Sequence, residues 1–99
     1  MTITEKRNES IITISVKGRV DANTSPELQK AILLAFQKVN KVVIDFSECE
    51  YVSSAGLRAL LIGQKTATSK GGYMKLTRVP EILMNVLKMT GMVKILTIE

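Results

Sequence analysis

The chain of 99 residues contains no histidine and no tryptophan, one cysteine, two prolines, and only two tyrosines and two phenylalanines. Each shortage removes a class of chemistry. Without histidine there is no imidazole acid/base catalyst, and with Cys49 as the sole thiol there is neither an internal disulfide nor a Cys/His zinc cluster. So few aromatic rings leave little on which nucleobases could stack. No apolar run approaches the roughly 20 residues that a membrane-spanning helix needs, and residues 1–10 are polar and charged, unlike a signal peptide. A glycine-lysine phosphate loop and a G-x-G-x-x-G turn are both missing. These absences lead us to expect a soluble, cytoplasmic protein that is not an enzyme, with no catalytic residues, no resident cofactor or metal and no membrane contact.

What is present suffices for one folded unit. Hydrophobic residues make up 45% of the chain, enough for one core at this length, and no repeat, linker or low-complexity segment interrupts it. Residues 1–99 therefore read as a single domain. The formal charge is +5, but the basic residues are scattered and their longest run is Lys6-Arg7. No stripe forms that could track a phosphate backbone, so nucleic acid is not expected as a partner, whereas encounter with an acidic protein is favoured. Cys49 reads as a small buried thiol.

Residues 11–16 (Ile-Ile-Thr-Ile-Ser-Val) are rich in β-branched side chains and alternate, predicting a strand buried on one face and ended by Gly18. Residues 2–6 alternate weakly and pair with it as a hairpin around 7–10. Residues 23–27 hold two overlapping helix starts: a capping box from Thr24 to Glu27, or Ser25 as cap with Pro26 in the first turn. Leu28, Ala31, Ile32, Ala35 and Val39 then recur at helical spacing. Residues 41–46 read as a central strand covered on both faces, with Asp45, Glu48 and Glu50 as solvated acids at and after its end. A second helix starts at Ser53-Ser54, turns Leu57, Leu60, Leu61 and Ala67 inward, and stops at Lys70-Gly71-Gly72. A strand over 73–77, a third helix carrying Ile82, Leu83, Val86 and Leu87 up to Gly91, and a strand over 93–98 follow. Met84, Met89 and Met92 read as core filler. The fold class is α/β: a small mixed sheet with parallel crossovers flanked by helices, in the order ββαβαβαβ.

The segment richest in possible chemistry is Tyr51-Val52-Ser53-Ser54-Ala55-Gly56-Leu57-Arg58. Serine is a favoured helix N-cap, and capping by itself is enough to account for the pair. The functional alternative exposes one hydroxyl on a rigid turn at the carboxyl edge of the sheet, where small neighbours let a partner or kinase approach. A phosphate there would add about −1.5 to −2 charges, tolerated by the helix N-terminus but not by a closely apposed partner.

Together with Gly18-Arg19-Val20-Asp21, Val43-Ile44-Asp45-Phe46, Lys70-Gly71-Gly72 and Met89-Thr90-Gly91-Met92, this segment resembles the STAS domain, in particular the bacterial anti-sigma factor antagonists (anti-anti-sigma factors). The resemblance spans the whole chain. It implies a STAS fold and a phosphoprotein that acts by partner switching: it binds an anti-sigma factor that is also a serine kinase, regulates sigma-factor-dependent transcription, is released by phosphorylation, and is restored by a serine phosphatase. Position for position, the acceptor falls on Ser54. Ser53 stands where well-known members carry aspartate, which makes it the secondary candidate. The implied partner-binding surface is Asp21, Asn23, Thr24, Ser53, Ser54, Ala55, Gly56 and Arg58. Two other readings stay open, a nucleotide- or small-ligand-sensing STAS domain and a scaffold subunit of a signalling complex; such scaffold subunits usually carry a further N-terminal domain, which this sequence does not show.

Overall fold

A computed structural model describes residues 1–99. The β-branched segments form a five-stranded sheet in the spatial order β1-β2-β3-β4-β5: β1 (Thr2–Asn8), β2 (Ile11–Val20), β3 (Lys41–Val52), β4 (Tyr73–Thr77) and β5 (Thr97–Ile98). β1 and β2 make the expected antiparallel hairpin, and every later pairing is parallel. Three helices connect the parallel strands, α1 (Ser25–Lys38), α2 (Ser54–Ser69) and α3 (Glu81–Met89). The element order is the one read from the sequence.

Because each parallel strand is added beside its predecessor in the same direction, crossovers of one hand place all three helices on one face of the sheet. The alternation within the strands follows from this. Ile12, Val42 and Met74 form one cross-sheet row and Ile14, Ile44 and Leu76 the next, all fully buried beneath the helices. They join Leu28, Ile32 and Phe36 of α1, Leu57 and Leu60 of α2, and Leu83 and Leu87 of α3 in one hydrophobic cluster. Removing such a side chain from water contributes about 1.5–3 kcal/mol. The opposite face, carrying Thr13, Ser15, Lys17 and Lys75, has no helix over it. The mixed sheet with parallel crossovers and flanking helices is the fold class expected, but the expectation of a central strand covered on both faces is corrected: β3 is apolar because it is central, not because both faces are covered.

Other expectations change in detail. β2 runs past Gly18 (φ +92) to Val20, and the register shifts beside Gly18 because β3 carries an extra residue, Glu50, between the partners of Gly18 and Arg19. β3 continues to Val52, so Glu48 and Glu50 are strand residues rather than loop acids. Asp45 is not a solvated acid: it is only 8% exposed, its Oδ2 accepts from Arg78 Nη2 at 2.7 Å, and its Oδ1 accepts from Ser47 N. The predicted last strand over 93–98 is a 3-10 turn, Met92–Lys94, followed by a two-residue strand. Ile82 is 71% and Met89 86% exposed, because the one-sided core reaches α3 only through Leu83 and Leu87, with Val86 packed against it. Met84 is half-buried, and Met92 packs against the core from the side. Phe36, buried in α1, was not among the residues expected inside. Cys49 is buried as expected, and burial pushes its thiol above the ordinary value.

Gly72 immediately precedes β4 where the chain passes Asn40, whose carbonyl oxygen accepts from Tyr73 N at 2.9 Å. A Cβ built on Gly72 would collide with that backbone oxygen, whereas one on Gly71 (φ +67) meets nothing. In urea denaturation, Gly72→Ala is therefore expected to cost about 3 kcal/mol or more, from backbone overlap, and Gly71→Ala only about 1 kcal/mol, from the left-handed conformation. Equal costs for the two would contradict this packing.

Candidate functional site

The carboxyl ends of β2 and β3 lie side by side: Val20 pairs with Val52, and Ser53 N donates to Val20 O at 2.8 Å. This pairing brings the β2–α1 turn, with Asp21, Asn23 and Thr24, next to the start of α2. Neither predicted cap of α1 forms. Thr24 is the N-cap residue but its hydroxyl makes no capping bond. It serves the turn instead, accepting from Asp21 N at 2.8 Å, with its own proton between Asp21 Oδ1 and Arg19 O, each at 3.1 Å. Asp21 Oδ1 also accepts from the backbone N–H groups of Asn23 and Thr24 at 3.0 Å. These bonds, the Thr24 amide first among them, hold the Asp21 carboxyl below its ordinary value of 3.8.

The two serines divide the work at α2. Ser53 sits in extended backbone as the N-cap, and its Oγ accepts from Gly56 N at 3.3 Å. Ser54 is the first residue of the helix, exposed, with a hydroxyl that makes no hydrogen bond within the chain. Gly56 is buried beneath them. A Cβ there would come within 2.6 Å of Val52 Cγ1 and 2.9 Å of Val20 Cγ1, so only glycine lets the first turn of α2 rest on both valines. Gly56 thus offers no surface of its own; it sets the height at which Ser54 is presented.

Ala55 and Arg58 lie on the flank of this turn and, with Pro26, Lys30, Leu33 and Leu34 of α1, line an open groove of about 380 Å³. A second, narrower cleft of about 260 Å³ runs between the end of β3 and α3, lined by Cys49, Tyr51, Val52, Pro80, Leu83 and Val86. The Arg19 guanidinium stacks 4.4 Å over the Tyr51 ring at the edge of the same surface. The sequence motifs include Arg19 and Tyr51 but assign neither of them, nor Lys30, to the partner surface, because their proximity depends on the pairing of β2 with β3 and on the packing of α1 against α2. No group of three or more His, Cys, Asp or Glu side chains is placed to hold a metal ion, and no helix is long and apolar enough to cross a membrane.

Removal of the cap by Ser53→Ala should cost about 1 kcal/mol in urea denaturation, while Ser54→Ala stays within about 0.5 kcal/mol of the parent. Because the folded-state value of Asp21 is depressed, its bonds stabilise the protein fully above pH 3.8 and are lost as pH falls through the lower, folded value. Asp21→Asn, which keeps an acceptor oxygen without a titrating charge, should flatten that acid limb of the stability profile. An unchanged limb would place the acid sensitivity elsewhere.

Comparison with known proteins agrees with this architecture. The chain is 26% identical over 94 residues to the anti-sigma-B factor antagonist of Bacillus subtilis (strain 168), covering 95% of this chain and 86% of that protein. Among solved structures, the Thermotoga maritima protein TM1081 superposes with a TM-score of 0.89 at 20% identity, covering 97% of this chain and 84% of that one. The Bacillus anti-sigma factor antagonist SpoIIAA superposes with a TM-score of 0.79 in both its unphosphorylated and phosphorylated forms, at 13% and 14% identity, covering 99% of this chain and 87% and 91% of those chains. A family model described as "Mlab, STAS domain" matches residues 3–97, and the chain belongs to the STAS-domain family.

Proposed function

We propose that this STAS domain is an anti-sigma factor antagonist: a binding protein, not an enzyme, that sequesters an anti-sigma factor in the cytoplasm and so releases a sigma factor for transcription. The observation that carries this reading is the uncommitted Ser54 hydroxyl, exposed on the first residue of α2 at the carboxyl edge of the sheet. The Bacillus subtilis relative bears the same function in its name, and SpoIIAA, of the same fold, has been solved both with and without phosphate.

In this reading the anti-sigma factor is also a serine kinase. The Ser54 Oγ attacks the γ-phosphorus of ATP, its proton passes to a base on the kinase, and ADP leaves. What supports Ser54 over Ser53 is accessibility: the Ser53 hydroxyl is half-buried and holds the Gly56 amide, whereas Ser54 gives up nothing when modified. The dianion sits at the positive end of α2, which favours it by about 0.3–1 kcal/mol, so the fold survives modification. The partner, apposed to the same edge, meets an unpaired charge and loses affinity; a phosphatase reverses the change. Asp21, Asn23 and Thr24 would supply the rigid second lip of the interface, and Ala55 and Arg58 its flank.

The test is titration of the cognate anti-sigma factor with the wild-type protein, Ser54→Ala and Ser54→Asp, alongside a kinase reaction with labelled ATP. Wild type and Ser54→Ala should bind alike, and Ser54→Asp at least about 100-fold more weakly, corresponding to roughly 3 kcal/mol. Label should enter wild type and not Ser54→Ala. Equal affinity for all three, or label retained in Ser54→Ala, overturns the assignment.

A further inference from the structure

α2 carries 16 residues and not one acid; Arg58 is its first charged side chain and Lys65 its second. A cation so close to the positive end of a helix, with no acid in the first turn, lacks the counter-charge that ordinarily accompanies it. Arg58 takes part in none of the four ion pairs of the structure, and neither does Lys30, which faces it from α1 across the groove. Arg58 is exposed and lies four residues after Ser54, so the two side chains are neighbours on one helix face, with the position that would carry the anion on the N-terminal side, the more favourable order.

Building on the assignment of Ser54 as acceptor, we propose that Arg58 is the intramolecular clamp of the switch: it captures the phosphate on Ser54 through guanidinium–phosphate hydrogen bonds. The planar fork of arginine matches two phosphate oxygens at once, which lysine cannot do. The captured phosphate lies along the helix over Ala55, at the mouth of the α1–α2 groove. Modification then alters the surface twice, adding a dianion and removing a free cation that the unmodified domain offers to an acidic side chain of its partner.

Other charges near this end of the fold are Lys30 and Glu27 on α1, Arg19 and Asp21 around the end of β2, and Glu50 on β3. All are common to the proteins to be compared, so only the Arg58 contribution differs between them.

The experiment installs phosphoserine at position 54 during translation, in the wild-type background and in Arg58→Gln and Arg58→Lys, and follows the second phosphate ionisation, near pH 6 in free phosphoserine, by 31P NMR at low salt. A clamp stabilises the dianion, so the ionisation should fall about half a pH unit lower in the wild-type background than in Arg58→Gln, with Arg58→Lys in between, and the difference should shrink as salt is added. Coincident titration curves for the wild-type background and Arg58→Gln overturn the proposal. A loss of folding is not expected from replacing an exposed side chain, and circular dichroism of each protein checks it. Since the phosphate is placed without a kinase, the outcome is independent of whether the kinase selects Ser54: labelling that survives Ser54→Ala would sink that assignment while leaving the clamp result intact.

Discussion

β3 is the element on which the other parts of the molecule depend. It pairs in parallel with β2 on one side and β4 on the other, and the two apolar rows that cross all three strands seat every helix. Because the register aligns Val20 with Val52, the ends of β2 and β3 finish at the same level, and the hydrogen bond from Ser53 N to Val20 O welds the two turns that follow. The edge that carries the candidate site is thus a direct consequence of strand register. A slip of one residue would bury the polar set and expose the apolar one, which the one-sided core forbids.

Rigidity at this edge comes from close backbone approach rather than from strong bonds. Gly56 sets the first turn of α2 on Val20 and Val52, and Gly63, where a Cβ would meet Met74 Sδ at 2.7 Å and Ile32 Cγ2 at 2.9 Å, keeps the middle of the same helix against the sheet and α1. A helix seated at two points presents its first residue in a fixed position. A hydroxyl so fixed fits the proposed switch, in which it would enter a kinase active site in one state and an interface in the other, since little ordering entropy would remain to be lost on binding.

Surface charge is arranged unevenly. The exposed pairs Lys17–Glu48 and Lys38–Glu5 are of the kind that contribute little to stability. The Asp45–Arg78 pair, with its carboxylate nearly buried, does more by tying β3 to the turn before α3, where Arg78 takes a positive φ of 51. At the candidate edge, Asp21 Oδ1 is already engaged three times by its own turn, while Arg58 and Lys30 have no acidic partner. The site therefore has negative charge committed to structure and positive charge free to respond.

Local chemistry was legible in the sequence wherever neighbours along the chain decide the outcome. The alternation of residues 11–16, the glycines at 71 and 91 that end helices, the order of elements and the presence of a serine cap at the start of α2 all depend on interactions within a few residues, and each appears in the structure. What depends on distant partners was not legible. One-way winding of the sheet left its second face bare, so an apolar central strand did not mean two covered faces. The end of the chain became a turn and a two-residue strand although residues 93–98 are rich in the β-branched side chains that favour a strand. Thr24 bonded to Asp21 in preference to capping its helix, and Asp45 found Arg78, 33 residues away. The sequence determined that a small hydroxyl would begin the second helix; only the packing of that helix on Val20 and Val52 decided which serine caps it and which is left free, because burial of one hydroxyl and exposure of the next is set by where the sheet lies beneath them.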